Sequence, residues 1–214
     1  MPDLDFSVEG AEVLEFAAVP TIVFNLRIEN KGGESIRSVS LNTQIRLAVT
    51  QRHYAASEQA RLLELFGEPR RWGETLRSLL WTHTVLQVPP FAGSTVVDMP
   101  VTCTYDLDVV ATKYFHALEE GEVPLEFLFS GTVFYVGEDG LQVDRISWEK
   151  EAEYRLPVRL WRGMMDHYFP NSAWLRLHKD VFDLLYDYKI RMGHPTWEAA
   201  VESLLRESER EVER

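Results

Sequence analysis

Apolar and polar residues alternate along much of the first 160 residues. Between Pro20 and Glu29 the even positions are apolar, and between Val39 and Val49 most odd positions are apolar. A period of two is typical of β-strands with one buried face. The stretch Asn30–Gly33 between them is rich in residues that tolerate a positive φ, so we expect a turn. The two strands form either a hairpin or a pair that crosses between sheets.

Further alternating segments predict more strands. Residues 79–88 have extended character. In residues 95–105 every odd position except Thr95 is apolar, and residues 125–135 alternate in the same way, with Gly131 among their odd positions. The turn at residues 137–140, followed by an extended segment over residues 141–148, predicts the clearest hairpin. Together these segments indicate a mainly β fold, an immunoglobulin-like antiparallel β-sandwich without the Cys–Trp–Cys signature of true immunoglobulin domains.

Helical spacing interrupts the strands twice. Residues 57–66 begin with a capping residue, lack alternation and stop before Gly67 and Pro69. Residues 106–118 also approach helical spacing, and acidic residues at their start suit the helix dipole. We therefore expect helical insertions near residues 57–77 and 106–118.

The period changes near residue 160, where apolar residues begin to recur at every third or fourth position. One helix is expected around Val181–Tyr188, ending before Gly193. A second helix should be capped by Thr196, and residues 206–214 should fray as a charged tail. Its buried face should consist of Trp197, Ala200, Val201, Leu204 and Leu205. We thus predict a β-sandwich over residues 1–160 and a C-terminal helical region over residues 161–214 packed on it.

Composition excludes several classes of function. The formal net charge is −12, from 34 acidic and 22 basic residues, and such a field opposes nucleic-acid binding. Cys103 is the only cysteine, so no intramolecular disulfide or cysteine-based metal cluster can form, and its alternating context predicts a small core residue. No signal peptide or long apolar run occurs, so we expect no membrane span and a cytoplasmic location.

Catalytic and cofactor motifs are absent from the sequence. There is no G-x-S-x-G elbow and no phosphate-binding loop. Paired carboxylates, at Asp106 with Asp108 and along Glu149–Glu153, fit solvated surface positions better than acid–base catalysis. The candidates for a metal site are Asp166, His167, His178 and Asp180, whose spacing matches no known zinc pattern. We expect no cofactor and no enzymatic activity.

Aromatic residues are dense near the C-terminal junction, and such side chains either pack the helices on the sandwich or line a partner-binding groove. A second cluster of interface-forming residue types lies in the first helical insertion. The candidate partner-binding residues are Arg70, Arg71, Trp72, Tyr168, Trp174 and Trp197.

The chain also resembles a known group of sequences. The resemblance rests on the strand from Val19 to Asn30, the Val88–Phe91 segment, the Tyr168–Asn171 turn leading to Trp174 and Leu175, and the helix start at Pro195–Glu198. These features resemble an uncharacterised bacterial family of unknown function whose genes lie near nickel–iron hydrogenase genes. The resemblance implies an accessory or assembly role and supplies no catalytic residues.

Two hypotheses follow from the sequence. The first is a non-enzymatic accessory or scaffold protein that binds a protein partner, in hydrogenase assembly if the resemblance holds. The second is a small-molecule-binding protein or an unrecognised hydrolase with a pocket between the sandwich and the helices.

Overall fold

The computed structural model describes residues 2–104, 109–137, 140–172 and 175–212. The chain divides into two compact units, residues 1–174 and residues 175–214. Three positions singled out from the sequence, Asp106, Asp108 and Trp174, lie outside the described residues.

Within its described part, the first unit contains eight strands in two antiparallel sheets. The strands are β1 Leu4–Val13, β2 Thr21–Asn30, β3 Ser35–Leu47, β4 Leu79–Val88, β5 Ser94–Thr102, β6 Glu122–Gly137, β7 Gly140–Arg145 and β8 Glu151–Pro157. One sheet has the order β1-β2-β5, and the other has the order β4-β3-β6-β7 with β8 also paired to β6. The fold is therefore mainly β and antiparallel, as the alternation predicted.

Two of the predicted strand pairs can be compared with the sheets. The strands β2 and β3 lie in different sheets, which confirms the sheet-crossing alternative rather than the hairpin. The β6–β7 hairpin is confirmed, with Gly137 opposite Gly140.

The strand β1 was not predicted, because a bulge between Val8 and Gly10 shifts its register. Apolar residues therefore change from even to odd positions within the strand, which breaks the alternation.

Aromatic side chains of the two sheets contact one another. Phe6 of β1 stacks on Phe129 of β6 with ring centroids 4.2 Å apart. Phe24 of β2 meets Phe127 edge to face at 5.2 Å. Burying one such ring contributes about 2 kcal/mol, so the loss of one of these contacts removes a large fraction of the net stability of a small domain.

One glycine sets how closely two neighbouring strands approach. Gly131 of β6 lies opposite Leu41 of β3. Its φ is +143°, and a Cβ at this position would overlap the backbone carbonyl oxygen of Ser40. Only glycine fits such a site without moving one of the two strands.

Short helices join the strands of the first unit. Between β3 and β4 lie α1 Ala56–Arg61, α2 Leu63–Phe66 and α3 Trp72–Thr75, between β5 and β6 lies α4 Val110–Ala117, and after β8 lies α5 Val158–Tyr168. The helices α1 to α3 lie near residues 57–77, and α4 lies within residues 106–118, which are the two ranges where the sequence predicts helical insertions. The helix α5 begins directly after Pro157. Its residues 161–168 lie within the predicted C-terminal helical region, although no separate helix was predicted for them.

A buried ion pair holds the first insertion against the rest of the unit. The Arg52 guanidinium donates to Oε1 of Glu58 at 2.6 Å, and to the carbonyl oxygens of Glu120 at 2.6 Å and Glu122 at 2.7 Å. Both side chains of the pair are more than nine-tenths buried. We call Arg52 and Glu58 the clamp, because they join the residues before and within α1 to the loop before β6.

The carboxylate of Glu58 also accepts hydrogen bonds from the backbone. Glu58 accepts hydrogen bonds from the backbone N–H groups of Ala55 at 3.1 Å and Glu119 at 2.9 Å. Burial opposes its charged form, but these two bonds and the Arg52 charge outweigh burial and hold the pKa of Glu58 below its usual range. The carboxylate therefore stays ionised in the folded chain.

The second unit is a pair of helices, α6 Lys179–Arg191 and α7 Trp197–Val212. Gly193, with a φ of +69°, follows the C-terminus of α6 and lets the chain turn toward α7. The predicted cap is confirmed, because Oγ1 of Thr196 accepts from the backbone N–H of Ala199 at 3.1 Å. The prediction that residues 206–214 fray is wrong for residues 206–212, where helix-forming Glu and Arg residues continue α7.

Replacing Gly131 with alanine is expected to lower the free energy of unfolding by about 3 kcal/mol, because β3 and β6 must move apart. Urea titration followed by circular dichroism measures this change. Gly73→Ala is the matched control, since Gly73 lies in α3 with open space around its Cα. That variant is expected to be as stable as the natural chain or up to about 1 kcal/mol more stable. Equal stability of the two variants would show that the close approach at Gly131 is unimportant.

Replacing Glu58 with glutamine leaves Arg52 buried without its counter-ion and is expected to cost about 3 kcal/mol of unfolding free energy at neutral pH. Glu202→Gln is the control, because its partner Arg206 is exposed and the pair contributes under about 1 kcal/mol. The measurement is urea unfolding of the two variants and the natural chain.

The same unfolding series at different pH values tests the electrostatics of the clamp. The folded pKa of Glu58 lies below its ordinary value of 4.5, so its contribution is complete above that pH and is lost as the pH falls toward the folded pKa. The natural chain should lose more stability than Glu58→Gln across this acidic window. If the free energies of unfolding of the natural chain and of Glu58→Gln change with pH in parallel, the Glu58 carboxylate does not stabilise the fold.

Candidate functional site

The candidate residues of the first insertion do not form one exposed patch. Trp72 is largely buried, and its Nε1–H donates to the carbonyl oxygen of Gly67 at 2.9 Å. Its ring meets Tyr54 edge to face at 5.4 Å. Arg70 and Arg71 are exposed. The indole therefore packs inside the insertion, and only the two arginines present a surface on which partner binding stays a prediction.

Tyr168 and Trp197 lie on separate units. Tyr168 ends α5, and its hydroxyl donates to the carbonyl oxygen of Ala17 at 2.9 Å, which fixes α5 to the turn between β1 and β2. Trp197 begins α7, where its ring is 5.2 Å from that of Phe182. Trp174 lies outside the described residues. The contacts of Tyr168 are structural, whereas Trp197 is part of the exposed helical surface described below.

The four candidate metal ligands are divided between the two units. Asp166 and His167 lie in α5, His178 directly precedes α6 and Asp180 lies in its first turn. Across the described ranges, no three His, Cys, Asp or Glu side chains come close enough together to hold a metal ion.

Cys103 is a buried residue, as predicted. Burial raises the pKa of its thiol to about 12, so the sulfur stays protonated at neutral pH. It borders a cavity of about 180 Å³ that is also lined by Trp81, Phe115 and Trp161. Small-molecule sites usually enclose about 300–1,000 Å³, so this cavity is small for a ligand.

A cleft of about 670 Å³ lies beside the clamp. His53, Glu119 and Arg155 line it together with the clamp residues. Its volume is within the range of small-molecule sites, but the charge of Arg52 is already neutralised by Glu58 at 2.6 Å. The small-molecule hypothesis stays a prediction.

The helix α7 carries an exposed row of apolar side chains. Trp197, Val201, Leu204 and Leu205 follow one another at helical spacing, and we call these four residues the α7 stripe. Their exposed fractions lie between 37% and 59%. Ala200, by contrast, is fully buried. The prediction that all five residues form a buried face is correct for Ala200 and wrong for the α7 stripe.

The contacts between α6 and α7 explain this difference. The Tyr188 hydroxyl donates to Oγ of Ser203 at 2.9 Å. This contact lies on the side of α7 that also carries Ala200, away from the centre of the stripe. Periodicity shows that a helix face is apolar but does not show what covers it.

The helix α6 also carries exposed apolar residues. The sequence pattern did not show whether these residues would be exposed or buried. Leu184 is 72% exposed and Ile190 is 60% exposed. Single exposed apolar residues are common on protein surfaces, whereas several on two short helices indicate an interaction surface. None of the helices in the described ranges is long and apolar enough to cross a membrane.

Several solved structures match the chain with low sequence identity. The CARDB domain of a Pyrococcus furiosus protein matches at 12% identity and a TM-score of 0.30, over 73% of this chain and 92% of that one. A putative late embryogenesis abundant protein matches at 13% identity and a TM-score of 0.31, over 73% of each chain. A β-glucosidase from Kluyveromyces marxianus matches at 12% identity and a TM-score of 0.26, over 72% of this chain and 15% of the enzyme. Scores this low carry no argument about fold or function.

No curated protein sequence matches the chain. The model of one sequence family, described as a family of unknown function (DUF6084), matches residues 1–213. Because this match extends over nearly the whole chain, the protein belongs to the DUF6084 family.

Proposed function

We propose that this protein is a non-enzymatic accessory or scaffold protein whose C-terminal helix pair binds a protein partner. The observation that supports the proposal is the exposed α7 stripe. Forty residues in two helices are too few to enclose a complete hydrophobic core, so the apolar face of α7 gains stability when another surface covers it.

The expected strength of this contact is modest. The four side chains of the stripe are each roughly half exposed, so covering them contributes about 1 kcal/mol per residue. Association itself costs at least about 4 kcal/mol. The stripe alone therefore supports weak binding, and a stable complex requires further contacts from α6 or from charged residues beside the stripe.

The first unit serves as the scaffold in this proposal. We take its two facing sheets to be the immunoglobulin-like sandwich expected from the sequence, with the clamp fixing the helical insertion. The proposal also includes an accessory role in nickel–iron hydrogenase assembly, which is the role implied by the resemblance to the bacterial family. The identity of the bound partner is the observation that tests this role.

Site-specific photo-crosslinking in extracts of the source cells tests the proposed surface. A photoreactive phenylalanine analogue at position 205 is expected to capture one defined protein reproducibly. The matched control carries the analogue at position 83, where His83 is exposed on β4, and should not capture that protein. Adding Leu204→Ser to the first variant should reduce the yield about fivefold, because an apolar contact is lost. Equal capture from positions 205 and 83, or none from either, would argue against a binding surface on α7.

A further inference from the structure

The charges beside the α7 stripe indicate which kind of partner it accepts. An α-helix turns by about 100° per residue, so Glu198 and Glu209 lie along one side of the stripe, and Glu207 and Glu211 lie along the other. All four glutamates are exposed. The apolar surface is therefore bordered by glutamates on both sides.

Two residues of α6 also reach this surface. The Tyr188 hydroxyl donates to Oε1 of Glu207 at 3.3 Å, and Nζ of Lys189 lies 5.6 Å from the centre of the Trp197 ring. The stripe therefore carries one basic residue at its Trp197 end besides the two rows of glutamates.

The basic residues of α7 lie elsewhere on the helix. Arg206 and Arg210 fall on the face opposite the stripe. Arg206 also forms an ion pair with Glu202 at 2.8 Å, one turn earlier along the same helix. These arginines do not neutralise the two rows of glutamates that flank the stripe.

We propose that the α7 stripe binds a basic amphipathic helix, a segment with apolar residues every third or fourth position and Lys or Arg beside them. This inference rests on the proposed function and specifies the partner of the same surface. Apolar side chains would pack along the stripe, as in helix-in-groove recognition. The flanking charges would select the partner as charged residues beside the apolar seam do in a coiled coil.

The same charges oppose the other occupants of such a surface. Pairing the stripe with a second copy brings glutamate rows toward glutamate rows, and each chain already carries a net charge of −12. An anionic lipid surface is repelled for the same reason. A cationic partner converts both rows of glutamates into favourable contacts and raises the association rate.

Fluorescence anisotropy with the full chain tests the inference. The probe is a labelled helical peptide of about 20 residues with leucines on one face and lysines beside them, compared with matched peptides that carry glutamine or glutamate instead of lysine. The lysine peptide is expected to bind about tenfold more tightly than the glutamine peptide. The preference should fall as salt is raised from about 50 mM to about 500 mM.

Charge-reversal variants show whether the position of the charges matters. Combining Glu198→Lys, Glu209→Lys and Glu211→Lys is expected to abolish the preference for the lysine peptide. Combining Glu15→Lys, Glu29→Lys and Glu74→Lys changes the net charge equally at exposed sites of the first unit and should preserve it. Circular dichroism checks that α7 remains helical, and glutamine substitutions at positions 198, 209 and 211 replace the lysines if it does not.

Each other outcome has a defined meaning. If both triple variants lose the preference for the lysine peptide equally, the preference depends on net charge and the inference is overturned. Equal binding of all three peptides to the natural chain, abolished by Leu204→Ser, would retain a docking surface while rejecting its selectivity. A dimer in sedimentation equilibrium that Leu204→Ser dissociates would identify a second copy as the occupant and reject the basic partner. Absence of peptide binding and of stripe-dependent crosslinking would contradict both the inference and the proposed function.

Discussion

A two-helix unit of forty residues cannot bury all of its apolar side chains, and this limit governs how the C-terminal part of the protein can act. Contacts between α6 and α7 cover Ala200 and part of Trp197, and they leave much of the α7 stripe exposed. Apolar surface in contact with water is an unfavourable state that binding relieves. The functional proposal follows from this one constraint, and the glutamates beside the stripe add selectivity to it.

The first unit satisfies its own requirements through different interactions. The rings of its two sheets pack against each other, Gly131 permits the close approach of β3 and β6, and the clamp holds the helical insertion. Its single thiol is buried and protonated. Such a unit can keep its shape while a separate part of the chain binds a partner, which is the arrangement expected of a scaffold.

Much of the fold could be predicted from the sequence, because alternation follows directly from the geometry of strands. The hairpin at Gly137–Gly140 and the Thr196 cap were predictable from local chemistry alone. The strand β1 was not predicted, because a bulge moves its apolar residues from even to odd positions. The C-terminal helical region was predicted from residue 161 onward, but the start of α5 at Val158, directly after Pro157, was not. The exposure of Leu204 could not be predicted for another reason. An apolar helix face has the same period in the sequence whether it is buried or exposed.

The most direct measurement uses the chain's single native cysteine as an internal reference. Leu205→Cys places a second thiol on the α7 stripe, while Cys103 remains buried with a raised thiol pKa. The rate of maleimide labelling at position 205 then reports whether the stripe is open. We expect fast labelling of position 205 in the purified chain. Labelling should become slow when the lysine peptide, or the partner protein identified by crosslinking, is added. Cys103 should stay unreactive throughout. Slow labelling of the purified, monomeric chain would show that the stripe is already covered and would contradict the central claim.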